Sequence, residues 1–181
     1  LKAVKIVPNL CAISLSFNAN GESYIELTQL LKEYWPKTRI VIGGPVITGD
    51  PALFASDDNV DYLCLGEGEI PLKELIQNLL VGKEPSCSGL YGRTELSDLI
   101  KTGNHPLSAA QMQSIDSLPI PDYSLLEDRA GDYQFGIITS RGCPNRCSYC
   151  SHSLVAGKRL RFRDAEQVLR EIDLLRSEFN I

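Results

Sequence analysis

The sequence predicts an α/β fold: a parallel sheet covered by helices on both faces. Three observations predict it. Short β-branched runs alternate with stretches whose apolar residues recur at helical spacing. The connections between them are short, and each strand-like run ends in glycine or small polar residues.

Residues 11–17 form the first β-type run. Ser23 and Glu26 have the spacing of a capping box, and Tyr24, Leu27, Leu31 and Tyr34 follow at helical intervals until Pro36 stops the segment. Residues 39–42 are a short β-branched strand closed by Gly43, Gly44 and Pro45. Asp50 and Pro51 open a short helix through Phe54. Residues 61–65 form the next strand, followed by Gly66-Glu67-Gly68-Glu69. Pro71 in a first helical turn precedes Leu72, Leu75, Ile76, Leu79 and Leu80, and Gly82 ends that helix. Residues 89–91 make a last strand.

Ligands of such sheets sit outside the carboxyl ends of the strands. Three of these ends carry small or polar residues: Ser14, Ser16 and Asn18; Gly43 and Gly44; Gly66, Glu67 and Gly68. Any one glycine is equally well explained by a turn that needs positive φ. Three such loops on one edge predict a binding face. It is not a dinucleotide site of the usual kind, because no G-x-G-x-x-G opens a helix.

Residues 94–130 are polar and weakly periodic, then rich in proline at 119 and 121, which favours extended backbone. They read as a linker between a unit at 1–93 and a second at 131–181, with Tyr123, Leu125 and Leu126 pinning the linker to one of them. His105, beside Pro106, reads as solvated. The second unit opens with an apolar run at 135–139, expected to be a buried strand. It closes with a helix that Asp164 caps, with Gln167 three residues on. Ala165, Val168, Leu169, Ile172, Leu175 and Phe179 form its apolar stripe. Glu166, Arg170, Glu171, Asp173 and Arg176 lie on the other face.

Composition narrows the function. A formal net charge of -5 gives no footprint for nucleic acid, and three arginines at 159, 161 and 163 do not reverse that; they read as solvated or carboxylate-binding. No apolar run approaches bilayer length. Six cysteines, three of them clustered, suit metal ligation in a cytoplasmic protein better than a disulfide scaffold. The other three, Cys11, Cys64 and Cys87, read as small buried hydrophobes.

The clustered cysteines are Cys143, Cys147 and Cys150, on a loop marked by Gly142, Pro144 and Asn145. Thiolates are the usual ligands of iron–sulfur clusters, and four complete a standard site. Three leave one iron open to a substrate. With His152 the same run is C-x3-C-x2-C-x-H, which also suits a tetrahedral Cys3His zinc site in a non-catalytic interaction module.

Residues 139–150, Thr-Ser-Arg-Gly-Cys-Pro-Asn-Arg-Cys-Ser-Tyr-Cys, resemble the cluster loop of the radical S-adenosylmethionine superfamily. The resemblance implies a 4Fe-4S cluster on Cys143, Cys147 and Cys150, with Tyr149 packing near the nucleoside of S-adenosylmethionine. It also implies reductive cleavage of that cofactor, and a strand, loop and helix that begin a partial TIM-like barrel. The first unit resembles the Rossmann-like cobalamin-binding domain that precedes many such enzymes. By that resemblance Ser14, Gly43, Gly44, Gly66 and Glu67 line a cobalamin cleft, although Ser16 stands where the family has Leu.

Together these imply an N-terminal fragment of a cobalamin-dependent enzyme that carries out methyl transfer or another radical transformation, itself expected to be inactive. A small-molecule or lipid-like substrate and an electron donor such as flavodoxin or ferredoxin would be its partners. A methylthiolating or tRNA-modifying relative fits less well, since the first unit has neither a second cysteine cluster nor a basic surface.

Overall fold

The computed structural model describes residues 6–16, 21–95, 98, 114–123, 135–145, 147–150 and 152–179. His105, Leu125 and Leu126 lie outside them, as do Phe17 and Asn18. The first unit is a four-stranded sheet in the order β1 (Leu10–Ser14), β2 (Arg39–Gly43), β3 (Tyr62–Cys64), β4 (Leu90–Gly92). The first three strands are parallel, with Ile13 opposite Ile42 and Ile42 opposite Leu63. The fourth departs from expectation: β4 runs antiparallel to β3. After helix α4 (Glu69–Leu80) the chain comes back alongside β3 in the opposite sense.

Strand alternation sends neighbouring residues to opposite faces. Ile40, Ile42 and Leu63 face α1 (Gly21–Tyr34) and the short α2 (Pro45–Gly49) and α3 (Ala52–Ala55), packing with Leu31, Ile47 and Phe54. Val41, Tyr62 and Cys64 face α4 and pack with Leu75 and Leu90. Both faces are covered, as the near-continuous apolar strands require. One local expectation fails. Helix α1 begins at Gly21, so Ser23 lies inside its first turn and is not its cap. Pro45 starts a helix of its own directly after the Gly-Gly pair, a start that favours proline because the missing N–H has no helical partner there.

At the foot of the sheet Asp61 ties three elements. Its carboxylate accepts from Lys32 Nζ of α1 at 2.7 Å, from the Ile40 N–H of β2 at 2.9 Å and from Arg39 at 3.0 Å.

The second unit differs more from expectation. Residues 135–139 are not a buried strand; Ile138 is 51% exposed. The strand is displaced to β5 (Ser140–Arg141), paired antiparallel with β6 (Arg161–Phe162). Phe135 instead joins Tyr123 and Phe179 in an aromatic cluster, with ring centroids 4.7 to 6.3 Å apart. Between the strands lie the cysteine loop and α5 (His152–Ala156), and α6 (Ala165–Phe179) follows.

Asp164 caps α6, its carboxylate accepting from the Glu166 N–H at 2.9 Å. The Gln167 amide does not reach back to the cap; it donates to Asp116 O, in the linker, at 3.3 Å. Residues 114–123 thus pack on the second unit, held there by Asp116 and Tyr123. Leu175 is buried, whereas Leu169 and Ala165 of the expected stripe are exposed. Glu171, expected on the solvent face, is buried. It accepts hydrogen bonds from Tyr123 at 2.6 Å and from Arg163. Burial and this carboxylate push the Tyr123 phenol up to about 12.

Candidate cofactor-binding site

Parallel pairing brings the carboxyl ends of β1, β2 and β3 to one edge. There they border a cavity of about 840 Å³, a size ordinary for a cofactor site. Ser14, Gly43, Gly44, Gly66 and Glu67 all line it. The opposite wall comes from the second unit: Ile138, Ser140 and Arg141, then His152, Val155 and Ala156 of α5. Helix α5 rests on α2.

The edge is built by close backbone approach. The Leu15 N–H donates to Gly43 O at 2.8 Å, and the Val46 N–H donates to Leu15 O at 3.2 Å. Gly44 has φ +99°, and a Cβ there would lie 2.6 Å from Leu15 O. Only glycine meets both demands. The Gly-Gly pair is therefore required by the way the first two loops join, whatever the cavity holds.

Thr48, which the sequence reading missed, fastens the third loop to the second. Its buried hydroxyl donates to Gly44 O at 2.9 Å and accepts from the Gly66 N–H at 3.0 Å. A threonine bonding back to the i−4 carbonyl is a local pattern. Its second bond, to a strand end 18 residues on, has no local signal.

Charge concentrates along one part of the lining, at Glu67, Glu69 and Arg141. Glu67 accepts from Arg161 Nη1 at 2.9 Å, and Arg141 lies 3.4 Å from the same carboxylate. Arg141 also pairs with Glu69 at 2.5 Å. Burial alone would raise the Glu69 carboxyl, but Arg141 and a backbone N–H outweigh it and hold the group below the ordinary glutamate value. Burial, aided by Glu69, pushes the Cys64 thiol in the cavity wall up to about 11, so it is neutral at physiological pH.

The cysteine loop stands outside the cavity wall. Cys143 is half-buried, Cys147 and Cys150 are exposed, and Tyr149 is 91% exposed. The base of the loop is fixed. The Cys143 N–H donates to Gly157 O at 3.0 Å, and Gly142, at φ +94°, passes so near Arg159 O that a Cβ would fall 2.1 Å from it. Among the described residues, no three Cys, His, Asp or Glu side chains are gathered for a metal ion. That holds for the three cysteines by themselves as much as for the three with His152, which lies on the cavity wall. Of the scattered thiols, Cys64 is buried, and Cys11 and Cys87 are half-buried.

Comparison with known families bears on the first unit. Residues 2–76 match the sequence model of the B12 binding domain. The chain's likeness to known proteins runs well past that region. A methyltransferase of unknown specificity from Pyrococcus horikoshii is 34% identical over 182 residues, 98% of this chain and 39% of the relative. TokK of Streptomyces tokunonensis, a cobalamin-dependent radical SAM methyltransferase, is 26% identical over 93% of this chain and 25% of its own length. The chain thus spans about two fifths of the first relative and a quarter of the second.

The solved structure of TsrM from Kitasatospora setae is similar in fold. TsrM is a radical S-adenosylmethionine methyltransferase, and that structure holds cobalamin and a 4Fe-4S cluster. It superposes on 96% of this chain and 36% of its own, with a TM-score of 0.68 at 20% identity.

The region matched to the B12 binding domain suits such a cofactor at two levels. A sheet edge of glycine and serine without bulky side chains leaves backbone open to a polar ligand, and the cavity beside it is roomy. The cysteine loop fits a cluster by donor chemistry: three free thiols within eight residues, on a loop anchored at its base. Among the described residues no helix is long and apolar enough to cross a membrane.

Proposed function

We propose that this chain is the cofactor-binding part of a cobalamin-dependent radical S-adenosylmethionine methyltransferase. One observation carries the reading. The sheet edge of the first unit and the segments flanking the cysteine loop line a single cavity.

In this reading Ser14, Gly43, Gly44 and Gly66 receive the nucleotide tail of cobalamin, and Cys143, Cys147 and Cys150 hold a 4Fe-4S cluster. Tyr149 packs beside the nucleoside of S-adenosylmethionine. When bound, cobalamin supplies a methyl carrier, and the cluster with S-adenosylmethionine supplies one-electron chemistry. The chain's own residues orient and insulate. Leu72, Val155 and Ile138 give the cavity apolar walls that exclude water. Cys64 stays protonated there and so does not compete as a thiolate ligand. Arg141 and Arg161 are neutralised by Glu67 and Glu69. The substrate is a small or lipid-like molecule, and the electron comes from a carrier such as flavodoxin or ferredoxin.

The test is metal and cofactor content of the full chain after anaerobic reconstitution with iron, sulfide and hydroxocobalamin. About four irons and four sulfides per chain, lost when Cys143, Cys147 and Cys150 are all replaced by Ala, are expected. So is cobalamin uptake that survives those replacements. Zinc without sulfide, or no cobalamin uptake, overturns the reading.

A further inference from the structure

Glu67, Glu69 and Arg141 line the cavity, and Arg161 pairs with Glu67 beside them. Glu67 and Glu69 belong to the loop after β3 and the start of α4; Arg141 and Arg161 belong to the second unit. Arg141 immediately precedes Gly142 and Cys143, so it marks one end of the cysteine loop. Arg161 marks the other: its guanidinium also donates to Ala156 O at 3.1 Å, at the end of α5, the helix that follows Cys150. The Arg161–Glu67 pair is well buried, each side chain 11% exposed. Arg141 is 19% exposed and Glu69 41%. Arg141 reaches both carboxylates, so the pairs form one network.

We infer that Glu67 and Glu69 are positioning residues for the cysteine loop, latching both of its ends to the sheet edge so that loop geometry and cavity occupancy are coupled. The latch joins residues 72 and 94 positions apart. It spans the two units beside the wall that α5 shares with α2. Buried pairs hold geometry better than exposed ones, because water and salt screen them less. Loss of the network would leave the β5–β6 pairing and the hydrogen bond from Cys143 to Gly157 to restrain the loop base. The coupling to cavity occupancy rests on the cobalamin reading above; the latch itself does not.

The experiment is maleimide labelling of Cys143 in the full chain, followed by mass spectrometry, for wild type, Glu67→Gln, Glu69→Gln, Arg161→Gln and the Glu67→Gln/Arg161→Gln pair. Glu69→Gln removes the more exposed carboxylate and keeps the test sound if the Glu67 change impairs folding. Glu166→Gln, in an exposed pair on α6, is the control.

Labelling of Cys143 is expected to rise about tenfold in the latch variants, because local opening exposes a half-buried thiol. The rise in the double variant should be smaller than the product of the single effects, as for residues in direct contact. Hydroxocobalamin should slow labelling in wild type and not in the variants. Wild-type rates in Glu67→Gln and Glu69→Gln, or multiplicative effects in the double variant, overturn the latch. Equal slowing by hydroxocobalamin in wild type and variants overturns the coupling. Failure of wild type to bind hydroxocobalamin, read by absorbance, overturns the coupling and the cobalamin reading together, and the labelling rates still decide the latch.

Discussion

Glu171 sits on α6 with its side chain 3% exposed and is ion-paired to Arg163, itself 9% exposed. Tyr123 donates to the other carboxylate oxygen at 2.6 Å. One carboxylate thus joins helix, β6 exit and linker. Glu171→Ala leaves a buried guanidinium unpaired, which costs about 3–5 kcal/mol. Urea unfolding should show that loss, with a smaller one for Glu171→Gln, which retains an acceptor for Tyr123.

Gly44→Ala forces a Cβ against Leu15 O at a backbone angle few side chains adopt. Strain of this kind costs about 1–3 kcal/mol. Gly49→Ala, at the end of α2 with nothing within 4 Å, is the matched control and should be neutral or slightly stabilising. If the sheet edge receives cobalamin, Gly44→Ala also weakens hydroxocobalamin binding about tenfold, equivalent to about 1.4 kcal/mol. Absorbance titration checks it, and Gly49→Ala should bind as wild type does.

Asp61 governs part of the acid stability. Burial would raise its carboxyl, but Lys32, the Ile40 N–H and Arg39 outweigh it and leave the folded value below the ordinary 3.8. A group depressed in the folded state stabilises fully above its unfolded pKa, and that contribution fades as pH falls through the folded value. Stability should therefore drop from pH 3.8 downward, and Asp61→Asn should lower stability at neutral pH while flattening that acid limb. Denaturant unfolding across that range measures both.

Cysteine reactivity should follow burial. Cys147 and Cys150 are exposed, whereas Cys64 is buried with its thiol pushed up to about 11. The thiolate is the reacting form. Alkylation near neutral pH should modify Cys147 and Cys150 first and Cys64 last. Because Cys64 lines the cavity, hydroxocobalamin should protect it further, read by mass spectrometry of the modified peptides.

Much of this was legible in the residues. Leu27 and Leu31 at helical spacing, and the apolar run at 39–42, each report a period that one segment carries by itself. The sheet-edge residues were legible too, since parallel strands place their carboxyl ends together. The strand expected at 135–139 failed because a short apolar run does not say what it packs on: Phe135 packs against the rings of Tyr123, edge to face, and Phe179 instead. Glu171 was misassigned because a carboxylate on a helix reads as solvent-facing until a partner from another element is known.

By itself the sequence determined the alternation of strands and helices, the glycine and serine at the strand ends, and the three thiols on one loop. These depend on local periodicity, turn chemistry and spacing. Only the tertiary structure decided that β4 runs antiparallel, that Thr48 ties Gly44 to Gly66, and that Arg161 meets Glu67 across 94 residues. Those depend on which distant segments come into contact. A charged or hydroxyl side chain carries no mark of its partner until packing brings the two together and removes the water between them.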